Sequence, residues 1–147
     1  MCSRTLPCFL SGLVVKGFGR GSKALGIPTA NLQEEVVENL PSDLAVGVYY
    51  GWASVNGEVH KMVASVGWNP FYKNEKKSLE VHLLHKFDSD LYGKQLKVIL
   101  AGYIRPEKDF PSVDDLIKAI NDDIAVAIEE LQKPDKNVYK DDAFFST

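Results

Sequence analysis

Residues 46–66 read VGVYYGWASVNGEVHKMVASV, and this stretch decides the fold class. Two runs rich in Val, Tyr and Trp, at 46–55 and 59–66, flank the pair Asn56-Gly57. An Asn-Gly pair between two such runs is a strong hairpin signal, because both residues tolerate the positive φ that a two-residue turn requires. The stretch therefore predicts two neighbouring antiparallel strands.

Three further runs of the same texture surround this hairpin, at residues 9–15, 79–87 and 96–104. Their enrichment in β-branched and aromatic residues is typical of strands. Few helical segments interrupt this region, so the sheet is expected to be mainly antiparallel. Closure of the sheet into a small barrel would remove its exposed edges.

After residue 111 the apolar periodicity becomes that of a helix. Ser112 is a candidate N-cap with Asp115 at the capping-box distance, and Pro134 is expected to end the helix. The predicted helix spans about 112–133. Its apolar stripe, which should lie against the barrel, consists of Leu116, Ile117, Ile120, Ile124, Ile128 and Leu131.

The predicted elements form one domain over residues 1–147, with a barrel at about 9–110 and a tail at 134–147. The tail is polar up to Phe144 and Phe145. Two alternatives follow for the tail: the two rings dock on the core, or the segment is mobile.

Composition and charge exclude several function classes. The chain has 147 residues, 45% hydrophobic and 25% charged, with a net charge of -3, which argues against a strongly basic nucleic-acid binder. No apolar run approaches a membrane span or makes a convincing signal peptide. The 2 cysteines form no disulfide framework. We expect a cytoplasmic monomer without a membrane or nucleic-acid partner.

The stretch GFGRGSKALGIPTAN at 17–31 is unusually rich in glycine. Glycines let backbone N–H groups approach a phosphate closely, and Lys or Arg supplies charge for the same anion. From composition alone, a nucleotide-phosphate loop and a solvated hairpin loop are equally good interpretations. The stretch does not fit a Walker A loop, because Gly21 is followed by Ser22 and only then by Lys23. It does not fit the dinucleotide-binding fingerprint either, because that motif needs a following helix, which Pro28 discourages.

The end of this stretch suggests a metal site. If the chain is extended after Pro28, Thr29 and Asn31 point the same way. Their hydroxyl and amide oxygens are hard ligands of the kind that Mg²⁺ accepts beside water and phosphate oxygens. The alternative is a polar strand end in which Asn31 hydrogen-bonds a local turn.

The run at 79–87 places a carboxylate on a strand. One face carries Val81, Leu83, His85 and Phe87, and the other carries Glu80, His82, Leu84 and Lys86. A carboxylate beside an apolar sheet can have a raised pKa and act as general base. The alternative is an ordinary exposed glutamate. A zinc site from His82 and His85 is disfavoured because the two side chains point to opposite faces.

Five segments together resemble riboflavin kinases of the eukaryotic monofunctional type. They occur in the family's order, cover most of residues 9–132, and read GFGRGSKALGIPTAN, GVYYGWA at 47–53, SVGWNPFY at 65–72, LEVHLLHKFDSDLYG at 79–93 and GYIRPEKDF at 102–110. The resemblance implies a closed six-stranded antiparallel barrel of Greek-key type with a C-terminal helix. It also implies transfer of the ATP γ-phosphate to the 5′-hydroxyl of riboflavin, giving FMN and ADP.

The resemblance further implies a role for individual residues. Glu80 is the expected catalytic carboxylate, and Thr29 and Asn31 are the expected ligands of Mg²⁺, with Zn²⁺ as an alternative metal. Residues expected to contact ATP are Gly17, Lys23, Leu83, His85 and Tyr92. Residues expected to contact the flavin are Arg105, Lys108 and Phe110.

Two further expectations concern the scope of the activity. Because only a short segment precedes residue 9, no FAD-synthesising adenylyltransferase activity is expected. The competing interpretation is a non-catalytic scaffold that binds flavin or nucleotide. A carboxylate beside a metal site, with Thr29, Asn31 and Glu80 all present, favours the enzyme.

Overall fold

The computed structural model describes residues 6–15, 29–32, 36, 44–55, 57–68, 77–84, 93–106 and 111–146. The strands are β1 (Cys8–Val15), β2 (Thr29–Leu32), β3 (Gly47–Val55), β4 (Glu58–Trp68), β5 (Lys77–Leu83) and β6 (Gln95–Pro106). After them come α1 (Val113–Leu131), the short α2 (Pro134–Asn137), and two 3₁₀ turns at Val138–Asp141 and Ala143–Ser146.

The strands form a ring of antiparallel pairs in the order β1-β2-β5-β4-β3-β6, which β6 and β1 close. The predicted hairpin is confirmed: β3 and β4 pair from Val55↔Glu58 to Gly47↔Val66. Gly57, in the turn, has a φ of 81°, a conformation that glycine adopts at no steric cost. The predicted mainly antiparallel β fold with a C-terminal helix is confirmed.

Two strand predictions differ from the structure. The run at 79–87 was expected to be one strand, but β5 ends at Leu83 and the chain bends at Leu84. The amide of Leu84 makes the last bond of this segment to Lys61 O of β4 (3.0 Å), after which the segment has no further described partner there. β2 was not identified as a run, because four residues are too few for a period to be recognised.

The barrel wall has an apolar cluster on each side. The interior holds Tyr49, Met62, Val81 and Leu100, all fully buried. The outer cluster includes Val48, Tyr50, Trp52 and Val63 of the wall with Ala127 and Leu131 of α1. All nine residues of β3 are buried, because one face lines the interior and the other lies beneath α1.

Helix α1 begins as predicted, and the predicted stripe residues Ile124 and Leu131 join the outer cluster. The Ser112 side chain accepts a hydrogen bond from the Asp115 amide at 3.2 Å, which confirms the N-cap. One stripe residue was assigned wrongly: Ile128 is 38% exposed. The face in contact with the barrel includes Ala127 and Leu131. Ile128 follows Ala127 by one residue and therefore lies at the edge of this face. No described helix has the length and apolar character needed to cross a membrane.

Strand β6 contains two irregularities where it pairs with β3. Val48 pairs with Arg105, whereas the next residue, Tyr49, pairs with Tyr103. Ile104 is therefore an extra residue in the ladder, a β-bulge. A second shift lies between Tyr50 and Gly51.

The tail docks on the barrel, which decides between the two alternatives left open by the sequence. Trp52 Nε1 donates a hydrogen bond to Lys136 O at 3.0 Å, and Lys136 Nζ donates to Ala101 O at 3.3 Å. The ring of Phe144 packs edge-on against Phe9, with centroids 5.3 Å apart, and Phe145 joins the outer cluster.

We predict that Trp52→Phe destabilises the fold by about 1–2 kcal/mol. The variant loses the indole hydrogen bond to the tail and leaves space where the larger ring was. Thermal unfolding should show a midpoint lower by about 2–8 °C. Val138→Ala is the control, because this tail residue is 61% exposed and its truncation should leave the midpoint nearly unchanged. Equal midpoints for Trp52→Phe and the parent would show that the tail contact contributes nothing.

Candidate active site

The strand register brings three of the predicted site residues into one row of the barrel wall. The pairs Asn31↔Glu80, Glu80↔Ser65, Ser65↔Val48 and Val48↔Arg105 run without a gap from β2 to β6. We call this row the Glu80 rung. Asn31 and Glu80 thus face each other on neighbouring strands, which lie about 4.8 Å apart. Arg105 is at the same level but three strands away, on β6 across the ring from β5, so the structure does not bring it beside Glu80.

Glu80 lies on the outer face of β5. Its neighbours Leu79 and Val81 are buried in the interior cluster, so the alternation predicted for this strand is confirmed over the residues described. The Glu80 side chain is only partly buried. The carboxylate therefore stands at the surface of an apolar wall, where a ligand can reach it.

A second row on the same face lies two residues along the strands and is formed by Thr29↔His82 and His82↔Val63. His82 is 7% exposed, and its Nδ1 has no hydrogen-bond partner among the described residues. Burial lowers the pKa of His82 to about 4, so the imidazole is neutral near pH 7. A neutral buried ring adds no positive charge beside Glu80.

The residue types in these rows include oxygen donors of the kind that a hard cation accepts. Within the part of the chain that the structure describes, no three His, Cys, Asp or Glu residues are grouped to hold a metal. Structural zinc sites in proteins are typically built from several such nitrogen and sulfur ligands. The residue types at 29 and 31 offer oxygen, and the Cα of Asn31 lies opposite that of Glu80. Hydroxyl and amide oxygens beside one carboxylate fit Mg²⁺.

The remaining predicted site residues are not brought together in the described structure. Leu83 is fully buried in the interior cluster, so its side chain lies on the other side of the wall from Glu80. The residues that lie outside the described ranges are Gly17, Lys23, His85, Tyr92, Lys108 and Phe110.

Arg105 has a partner that the sequence prediction missed. Its Nε and Nη2 donate to the two carboxylate oxygens of Asp123 in α1, at 2.9 and 2.8 Å. Asp123 is 3% exposed. A signal was present in the sequence, because Asp123 stands three residues after Ile120 and four before Ala127, on the helix face that meets the barrel. A carboxylate on such a face requires a cationic partner.

A cavity of about 300 Å³ lies on the opposite side of the barrel. Its walls include Tyr50, Gly102, Lys136 and Tyr139, from β3, β6 and the docked tail. Because β3 and β6 lie across the ring from β2 and β5, this cavity is separate from the surface that carries Glu80.

Comparison with known proteins identifies relatives of the chain. The family model described as "Flavokinase: Riboflavin kinase" matches residues 4–131. A riboflavin kinase of Mus musculus is 59% identical over 143 residues, covering 97% of this chain and 92% of the mouse protein. A riboflavin kinase of Homo sapiens is 58% identical with the same coverage. The crystal structure of riboflavin kinase from Trypanosoma brucei aligns with a TM-score of 0.75 at 31% identity, covering 95% of this chain and 88% of that chain.

We predict that His82 makes the fold sensitive to acid. Its pKa is lower in the folded chain than the ordinary 6.5, so the unfolded chain binds the proton more readily. The resulting loss of stability begins as the pH falls below about 6.5 and is complete below about 4, where it reaches about 3 kcal/mol. Urea unfolding at pH 7 and pH 4.5 should show a smaller loss for His82→Leu than for the parent. Equal losses in the two proteins would contradict the prediction.

Proposed function

Because the chain belongs to the riboflavin kinase family, we propose that the outer face of β2 and β5 is where it transfers the γ-phosphate of ATP to the 5′-hydroxyl of riboflavin. The activity itself is that of riboflavin kinase, EC 2.7.1.26, which uses ATP and produces FMN. The proposal concerns which residues carry out the transfer.

The observation that carries the proposal is the pairing of Asn31 with Glu80. Phosphoryl transfer depends mainly on aligning the attacking hydroxyl and neutralising charge on the phosphates. Glu80 orients the primary hydroxyl of riboflavin and accepts its proton as the oxygen attacks phosphorus. The partly buried position of Glu80 supports this role, because the side chain is accessible while its neighbours Leu79 and Val81 are buried in the interior cluster.

Thr29 and Asn31 would hold Mg²⁺ beside the phosphates. Their oxygens would coordinate the ion, which would supply positive charge against the charge of the phosphates. What supports this part is the position of both residues in β2, where the ladder to β5 fixes the backbone opposite His82 and Glu80. The neutral state of His82 is compatible with a cation nearby.

The contacts of individual residues with the nucleotide and the flavin remain predictions from the sequence. Gly17 and Lys23 would contact the phosphates of ATP, and His85 and Tyr92 would contact the nucleotide. Lys108 and Phe110 would contact the flavin together with Arg105. We also propose Greek-key connectivity, supported by the place of β2 between β1 and β5 in the ring. The monomeric state stays a prediction.

Glu80→Gln tests the general base, because it keeps the shape of the side chain and removes its basicity. We expect FMN formation from riboflavin, ATP and Mg²⁺ to slow by about 10²–10⁴-fold, with riboflavin binding largely retained. Chromatography of the flavins measures FMN formation, and fluorescence titration measures riboflavin binding. Glu58→Gln is the matched control, since this side chain is 67% exposed at the far end of β4. Turnover near that of the parent in Glu80→Gln would refute the assignment.

Thr29→Val and Asn31→Leu test the metal site, because each removes a ligand oxygen and keeps approximate volume. We expect Mg²⁺-dependent activity to fall steeply and Mg-nucleotide to bind more weakly, while riboflavin binding without metal changes little. Ser11→Ala on β1 is the control for losing a hydroxyl from an exposed strand position. If the two variants respond to Mg²⁺ as the parent does, the metal is held by other residues.

A further inference from the structure

The cavity of about 300 Å³ between the barrel and the docked tail lies away from the surface that carries Glu80. Three parts of the chain line it: Leu6 and Pro7 before β1, residues of β3 and β6, and Lys136 and Tyr139 of the tail. Pockets for small molecules have volumes of about 300–1,000 Å³. At the lower end of this range, the cavity fits a ligand of one or two rings.

Aromatic rings form much of the cavity wall. Tyr50, Tyr103 and Tyr139 all line it. The ring of Tyr50 lies directly against the backbone of Gly102, where a Cβ atom would overlap it. Glycine at this position therefore lets the ring lie against the strand and leaves the space above it open. Aromatic walls favour a planar aromatic ligand, which can stack on them or pack edge-on.

The cation of the described cavity wall has no carboxylate partner. Lys136 is partly buried, and its Nζ donates to the backbone carbonyl of Ala101 at 3.3 Å. No carboxylate of a described residue forms an ion pair with Lys136. An ammonium has three N–H donors, so this one keeps two for a ligand. Unused charged donors on a cavity wall favour a ligand with an anionic oxygen.

Tyr139 supplies a second polar group on the same wall. Its ring packs against the outer cluster, and its hydroxyl makes no hydrogen bond to any other residue that the structure describes. It stands three residues after Lys136 in the tail, and both side chains line the cavity. An ammonium and a hydroxyl together can bind the two oxygens of one carboxylate.

The charges near the cavity limit the ligand to a single negative charge. Burial raises the pKa of Tyr50, and the nearby charges of Glu130 and Asp135 raise it further. Lys133 is already paired with Glu130 at 2.6 Å, so it is not available to a ligand. Two carboxylates close to the wall repel a polyanion such as a nucleotide, whereas one carboxylate can be balanced by Lys136.

We propose that this cavity is a second binding site, separate from the site of phosphate transfer, for a small planar aromatic monocarboxylate. Lys136 and Tyr139 bind the carboxylate, and the ring lies between the tyrosine rings. A ligand in this position contacts the barrel wall and the tail together, so binding holds the tail in its docked position and stabilises the fold by mass action.

Titration with 2-naphthoate in the absence of riboflavin and ATP tests the proposal. We expect saturable binding by calorimetry and an unfolding midpoint that rises with the concentration of the probe. The amine 2-naphthylmethylamine is the matched control ligand, because it keeps the rings and reverses the charge, and it should bind more weakly. Binding of 2-naphthoate weaker than about 1 mM would overturn the proposal, as would equal or tighter binding of the amine.

Lys136→Met tests the residue that carries the charge, because it keeps the length of the side chain and removes the ammonium. We expect 2-naphthoate to bind about 10- to 100-fold more weakly, the effect of losing a charged hydrogen bond. Lys140→Met is the matched control, since Lys140 is an exposed lysine of the same tail that is not part of the described cavity wall. Parental affinity in Lys136→Met would contradict the assignment.

Tyr139→Phe covers the case in which Lys136→Met does not fold, because it keeps the ring and removes only the hydroxyl. We expect its affinity for 2-naphthoate to fall by about 2- to 10-fold, as for a neutral hydrogen bond. Unchanged affinity in this variant would also count against the site.

A competition experiment tests whether the cavity is separate from the substrate site. Saturating riboflavin with Mg-ADP should leave the affinity for 2-naphthoate unchanged, because the cavity lies across the ring from β2 and β5. Displacement of the probe by riboflavin would overturn the proposal. These measurements involve no turnover, so failure of the proposed function would appear separately, as a parent protein whose Glu80→Gln variant still forms FMN at the parental rate.

Discussion

Residues Leu96, Val98 and Leu100 of β6 have backbone partners on both sides. They pair with Gly12, Leu10 and Cys8 of β1, and with Val55, Ala53 and Gly51 of β3. This double pairing closes the ring and leaves none of the six described strands as an open edge. It encloses the interior cluster and presents a continuous outer wall on which α1 and the tail pack. The level of every row on that wall, the Glu80 rung included, depends on the register of this closure.

The proposed chemistry lies at the strand with the shortest pairing among the described residues. β2 has four residues, of which two pair with β1 and three with β5. By contrast, β3 and β4 pair over nine positions. Segments held by few bonds are the ones that open locally at low cost. The proposed metal ligands thus lie on a strand with few described ladder partners, opposite β5, which carries the proposed carboxylate and pairs with β4 from Met62↔Leu83 to Trp68↔Lys77.

Local sequence signals predicted much of this arrangement. The Asn56-Gly57 pair located the hairpin, Ser112 located the start of the helix, and the alternation around Val81 placed Glu80 on the outer face. Features that depend on distant partners were not predictable in this way. Asp123 accepts a hydrogen bond from Arg105, which lies 18 residues earlier in the sequence. The residues around Ile104 carry no local signal for a bulge. The docked tail was left open for the same reason, since its polar sequence does not reveal the bond to Trp52.

The pairing of Cys8 with Leu100 also constrains how the chain is made. A growing polypeptide emerges from its N-terminus, so β1 is synthesised long before its partner β6 exists. Until then the β3–β4 hairpin can form on its own, but the ring cannot close, and β1 and β3 each lack a neighbour. Exposed strand edges of this kind invite pairing with other chains. Between synthesis of residue 15 and residue 95 the nascent chain therefore carries strand edges that only β6 later covers.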